Sequence, residues 1–338
     1  YFTNSFYLAC LSRLVIGAVS ACAFVAPLTL ASRWYPPEKQ AFITGMVQLT
    51  GCLGAYLAGS PATYLINYLG WRDTFLYSAF AGLVLCSLFA LILQDFPTDY
   101  SHKEGESTTN VSTSVIKRLY SVISLPQNWA IGLCAFGSWA PVTVFAESFG
   151  VPYLCALQNV SKAYASWQIS WVWIAMALAS PLAGWASNKM QQRKLPIFVL
   201  LIIGLIASVV LVICPPRHSP LLVCVLLFGI GVASAAQPIT FGLIHDNNRS
   251  EVIATAMSFN NMMLISSACV LQPLVGGLIS YLESSMGAIT SLQVFYYAFM
   301  ITPFTVLASL LILHFCVRET YCKPVIEEEQ DSSEAIAV

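Results

Sequence analysis

The sequence predicts an all-α, polytopic membrane protein with about nine transmembrane helices, and three observations carry that prediction. Hydrophobic residues make up 57% of the 338-residue chain and charged residues only 9%, whereas a soluble domain carries about 25% charge. Long apolar runs recur between short polar breaks, and a helix needs about 20 apolar residues to cross a bilayer. Lys and Arg concentrate in alternate breaks, as they do when successive loops face opposite sides of a membrane.

Nine runs follow in order: Tyr7 to Ala31, Ala41 to Leu69, Phe75 to Leu93, Trp129 to Phe149, Ser166 to Trp185, Pro196 to Cys214, Leu221 to Leu243, Val252 to Leu282 and Val294 to Val317. Several exceed a single span, so tilted or interfacial ends are expected. Residues 95–127 are polar and include SHKEGESTTNVSTS, which reads as a flexible loop dividing three helices from six. Residues 319–338 read as an acidic, solvated tail with Glu327, Glu328, Glu329, Asp331 and Glu334.

One set of breaks holds Arg33, Lys39, Lys103, Lys117, Arg118, Lys189, Arg193, Lys194, Arg249, Arg318 and Lys323. The opposite set holds Arg72, Lys162 and Arg217, and Arg13 lies inside the first run (11 + 3 + 1 = 15). The bias places the long loop and the C-terminus in the cytoplasm. Net charge is −1, which offers no basic field for nucleic acid. Most of the eleven cysteines sit in apolar runs, with no CxxC pair or metal-ligand spacing, so they read as small packing residues and no cofactor is expected.

The segments starting at Glu38 and Ser250 repeat one another. At an offset of 213, Glu38, Ala41, Ala55, Leu65, Ile66, Tyr68 and Leu69 fall on Glu251, Ala254, Ala268, Leu278, Ile279, Tyr281 and Leu282. The second copy lies in the fifth helix of a six-helix half, and the first in the second helix present. Equivalent halves would therefore place three further helices before Tyr7, giving helices four to twelve of twelve. On that reading residues 1–94 are the second half of an N-terminal six-helix bundle, and residues 128–318 are the C-terminal bundle.

The motifs resemble those of the major facilitator superfamily over nearly the whole chain. SRLVIGAVSA resembles the family's fourth helix, with Arg13 four residues before Gly17; RWYPPEKQAFITG and GWRDTF resemble its next two turns. GWASNKMQQRK resembles the loop between helices eight and nine, and it supplies Gly184, Asn188, Lys189 and Arg193 as a gating loop. Asn188 stands where the family has Asp, so a weakened or absent charge relay is expected there. LGAYLAGSPAT departs from the antiporter pattern. The tenor resembles bacterial metabolite importers and, more faintly, the lysosomal dipeptide branch. The resemblance implies a monomer in the bacterial inner membrane that carries a small-molecule substrate, with protons as an expected coupling ion.

Polar groups inside a span are costly unless they meet a cavity or a partner. The expected cavity residues are Arg13, Gln48, Trp139, Gln237, Asn260, Asn261 and Gln272. Gln48 and Asn261 occupy matching positions of the repeat. The alternatives are a snorkelling Arg13 and interhelical hydrogen bonds for the amides. Gln168, Trp171 and Trp173 read as interfacial anchors. Glu147 and Asp246 fall near run ends, which leaves no carboxylate at mid-bilayer. There is no Walker A, GxSxG or HExxH motif, and no soluble segment long enough for a nucleotide domain, so an enzyme is not expected. The sequence points to transport by alternating access; a non-transporting receptor or scaffold on the same fold is the alternative.

Overall fold

The structure is a computed structural model that describes residues 5–20, 22–34, 40–92, 115–285 and 291–323. Hydrocarbon offers backbone N–H and C=O groups no partner, so a lipid-facing segment must satisfy them within itself, and a helix does so. The described residues accordingly form helices and contain no strand. The first part comprises α1 (Phe6–Ser20), α2 (Cys22–Trp34), α3 (Gln40–Ala58), α4 (Ser60–Leu69) and α5 (Trp71–Ile92). A short α6 (Val115–Ile123) precedes a long rod made of α7 (Pro126–Pro141), a π-helical segment (Val142–Phe149) and α8 (Gly150–Gln158). Then come α9 (Lys162–Met190), α10 (Lys194–Ile213), α11 (Pro220–Ser234), α12 (Gln237–Asp246), α13 (Ile253–Ser285), α14 (Ser291–Phe299) and α15 (Ile301–Phe315).

Among the described residues, eight helical stretches are long and apolar enough to cross a membrane. The chain is thus a multi-pass, all-α membrane protein. Two boundaries differ from those read in the sequence. The run Ala41 to Leu69 divides at Gly59, because Pro61 in the first turn of α4 has no N–H to continue the ladder from α3. The run Trp129 to Phe149 instead continues to Gln158. Gly150 and Pro152 look like a stop, yet Pro152 falls in the first turn of α8, where its missing N–H is not needed. The loop read over residues 95–127 carries the amphipathic α6, which buries Val122 against the helices. The SHKEGESTTNV stretch and the acidic run of the tail lie outside the described residues.

From α7 onward the helices share two apolar layers. At the end bearing Lys189, Arg193, Arg249 and Arg318, hereafter the basic end, Ile131, Ile197, Leu201, Ile239, Phe259 and Leu313 pack together. Toward the far end, Phe145 stands edge-on to Tyr153 and Phe299, with centroids 5.9 and 5.0 Å apart, and the Tyr153 hydroxyl donates to the Leu211 carbonyl. By contrast α1 buries none of its residues and α5 only Thr74. The turn between α4 and α5 is the GWRDTF motif. Gly70 adopts φ +84°, its N–H closes α4 on Ile66 O at 2.8 Å, and the Thr74 hydroxyl returns to Gly70 O at 2.8 Å.

The seam between the two parts is the contact of α3 with α9. A Cβ placed on Gly45 would lie 2.6 Å from Pro181 Cα and 3.2 Å from Ser180 O, so the two backbones touch there with no side chain between them. Gly54, on another face of α3, has nothing within 4 Å. Gly45→Ala is therefore expected to force the helices apart and cost about 1–3 kcal/mol. Gly54→Ala is expected to leave stability equal or slightly raised, since Ala is the better helix former. Thermal unfolding of both variants in detergent checks the contrast.

Candidate functional site

On the seam α3 turns Thr44, Gln48 and Cys52 inward, four residues apart and so on one helical face. The Gln48 amide donates to Cys52 Sγ at 3.6 Å. Cys52 packs with Met176 and Ala177 of α9, and Leu49, Trp139 and Trp173 border this cluster. Gln48 and Trp139, chosen from the sequence, thus meet one small region where the two parts of the chain touch. Trp173, read as an anchor, lies there too. Gln168 and Trp171 occupy another face of α9, where Trp171 stands 6.5 Å from the Phe228 ring of α11.

The Trp139 indole N–H donates to Glu147 Oε1 at 3.3 Å. Glu147 sits on the π-helical segment, whose i→i+5 ladder widens the rod and turns its side chains away from their α-helical directions. It stands eleven residues (158 − 147) short of Gln158, about 16 Å along the rod. The sequence reading put it at a helix end; the rod's extension to Gln158 puts it well inside. One turn back, the Thr143 and Ser267 hydroxyls meet at 3.0 Å and tie the π segment to α13. A π-helical turn has no composition signature, so Glu147 could not be singled out from hydropathy.

Deeper toward the basic end, α12 and α13 bring Gln237, Thr240 and Asn260 together, all buried. The Thr240 hydroxyl donates to the Gln237 backbone carbonyl at 2.8 Å and accepts from the Asn260 amide at 3.2 Å. With that hydroxyl hydrogen committed, Asn260 must face Thr240 with its nitrogen, and its Oδ1 turns away. Asn260 Oδ1 and Gln237 Oε1 are both buried without a donor. Phe241, one residue on from Thr240, meets Phe24 of α2 in a tilted ring pair with centroids 5.2 Å apart, which places this part of α12 beside the first part of the chain. Asn261 is buried next to it.

Two sequence choices lie elsewhere. Gln272 is half-buried twelve residues beyond Asn260, about 18 Å along α13. Arg13 is exposed on α1, with its guanidinium 5.8 Å from the centre of the Phe75 ring on α5.

The loop joining α9 to α10 forms a buried ionic cluster at the basic end. Arg193 Nε lies 3.1 Å from Asp246 Oδ2 at the end of α12. Its Nη1 donates to Asn188 Oδ1 at 2.9 Å and Ser187 Oγ at 3.3 Å. Asn188 thus gives the guanidinium a neutral acceptor where the family has a carboxylate, so the hydrogen bond is made without the charge. The second anion comes from a residue not selected in the sequence. Glu319, just past α15, accepts the backbone N–H groups of Arg193 and Lys194 at 2.8 Å each and so caps α10. The Thr320 hydroxyl donates to Asp246 Oδ2 at 2.8 Å. Lys189 stays outside the cluster, 4.8 Å over the Trp185 ring, and Gly184 is buried on α9. Beside it the Cys322 thiol donates to Ser187 O at 3.8 Å, and burial, ahead of the opposing pull of Arg193, raises its pKa.

Among the described residues no group of three or more His, Cys, Asp or Glu could hold a metal ion. The arrangement offers amides, an indole and a carboxylate along a helix seam, with an ionic clasp at one end.

The model of the Major Facilitator Superfamily matches this chain twice, over residues 1–263 and over residues 130–334. A probable nitrate/nitrite transporter, NarK2, known from two strains of Mycobacterium tuberculosis, is 23% identical over 211 residues; the match covers 59% of this chain and 48% of the relative. The chain thus spans about half the length of the curated relatives it matches. With both matches together running from residue 1 to residue 334, the chain belongs to the Major Facilitator Superfamily.

Proposed function

We propose that this chain is part of a secondary transporter that moves a small polar metabolite across a membrane by alternating access, and that it is not an enzyme. The observation that carries this reading is the polar seam. Gln48 of α3 lies against the cluster that Trp139 borders, and Gln237 and Asn260 lie beside the ring pair joining α2 to α12. Amides inside a bilayer protein are retained where they meet a substrate or a partner across helices. Membership of a family of transporters agrees with it, as does the relative's description as a nitrate/nitrite transporter. The substrate belongs to the amino acid, dipeptide, organic acid or sugar-derivative class. Transport is by uniport or by symport with protons, and Glu147 is the carboxylate in this chain placed to take one. The membrane is the bacterial inner membrane, with the basic end and C-terminus cytoplasmic, and the protein acts as a monomer.

In this reading the Arg193–Asp246–Glu319 cluster clasps the cytoplasmic ends of α9, α10, α12 and α15 in the closed state. Opening requires its rearrangement, because removing one partner of a buried pair strands the other at a cost of about 3–5 kcal/mol.

Uptake and counterflow of labelled metabolites in vesicles containing the full-length protein test the reading. Saturable exchange is expected, with Gln48→Leu and Trp139→Leu lowering uptake at least tenfold at unchanged protein yield. Binding without exchange would favour the receptor alternative, and wild-type uptake in both variants would remove the site assignment. Asp246→Asn and Glu319→Ala are each expected to speed labelling of Cys322 by a maleimide at least tenfold, read by mass spectrometry of its peptide. Slow labelling of the wild-type thiol is expected because burial raises its pKa, with Asp246 and Glu319 adding to the rise.

A further inference from the structure

We propose that Gln237 and Asn260 form an acceptor subsite for a ligand carrying N–H donors, specifically a protonated primary amine. The proposal rests on the transport reading and narrows its substrate class. Asn260 is 0% exposed and Gln237 3%. Asn260 Oδ1 and Gln237 Oε1 nevertheless have no donor. The Thr240 hydroxyl fixes the Asn260 amide the right way round, so the orphaned atom there is the oxygen. Buried acceptors are nearly always paired, and an unpaired one is costly to keep. Unpaired amide oxygens also occur at Gln158 and Gln168; those of Gln237 and Asn260 lie on two helices that reach the first part of the chain, where a ligand or an opened state can supply the missing hydrogens.

The position suits a ligand. Both residues lie on helices that touch the first part of the chain, α12 against α3 and α13 against α2, and the Phe24–Phe241 ring pair joins α12 to α2. The chemistry discriminates between ligands. An ammonium group presents three N–H donors and no acceptor, so it supplies what an unpaired amide oxygen lacks. A nitrate ion presents only acceptors, so it would leave both oxygens unpaired and face their partial negative charge. Glu147, farther along the same set of helices, adds a carboxylate of the same preference, held by the Trp139 indole.

The test is thermal unfolding of the detergent-solubilised full-length protein in ethylammonium chloride and in sodium nitrate, each against sodium chloride at equal ionic strength. Ethylammonium is expected to raise the unfolding temperature and nitrate to add nothing. Gln237→Met, which keeps the length and removes the acceptor, is expected to raise the half-effect concentration at least tenfold. Gln237→Glu, which keeps an acceptor oxygen, is expected to retain the response or strengthen it. A nitrate response lost in Gln237→Met would overturn the proposal. So would an ethylammonium response absent from the wild type, or one unchanged in Gln237→Met. Because this readout is binding, its failure alongside successful metabolite exchange in vesicles would remove the amine assignment and leave the transport reading standing.

Discussion

The join between the first helices of this chain and those from α7 onward depends on α3 lying directly on α9. At Gly45 the two backbones meet at Pro181 with no side chain between them. In lipid the hydrophobic effect gives helices no reason to associate, so close packing and a few hydrogen bonds must hold them. That contact brings Gln48 and Cys52 against Met176, with Trp139 alongside, and so joins the helices before residue 93 to those after residue 114 through a shared polar face. Without it the first part has little hold, for α1 and α5 bury almost none of their own surface.

The seam has two chemically different ends. At the basic end charge is handled by compensation: one guanidinium is matched by Asp246 and by the amide oxygen of Asn188, while Glu319 satisfies the opening N–H groups of α10. Farther in, charge gives way to amides, and two of their oxygens stay unsatisfied.

Much of the fold was legible in the sequence, because length and hydropathy are what the bilayer selects. Eight stretches meet the requirement where nine spans were read, and both displaced boundaries lie at a proline. Pro61, with Gly59 before it, marks a break in its run, whereas Pro152 is carried within the rod. The rod's extension past Pro152 is what places Glu147 inside it rather than at its end. Glu319 was unreadable for a different reason: its role is to cap a helix that begins 125 residues earlier, at Lys194, and no local pattern encodes such a contact. Gln237 and Asn260 were found because an amide inside a span is conspicuous. That they meet through Thr240 was not, since pairing between helices leaves no periodic trace.

The central claim is that the two parts of the chain separate at the basic end during each transport cycle. The Phe24–Phe241 ring pair bridges α2 and α12 between that end and the amides. Joining Phe24→Cys to Phe241→Cys by a disulfide in the full-length protein, with uptake measured before and after reduction, tests the claim directly. The account predicts loss of uptake on cross-linking and recovery on reduction. Undiminished uptake through fully cross-linked protein would contradict it.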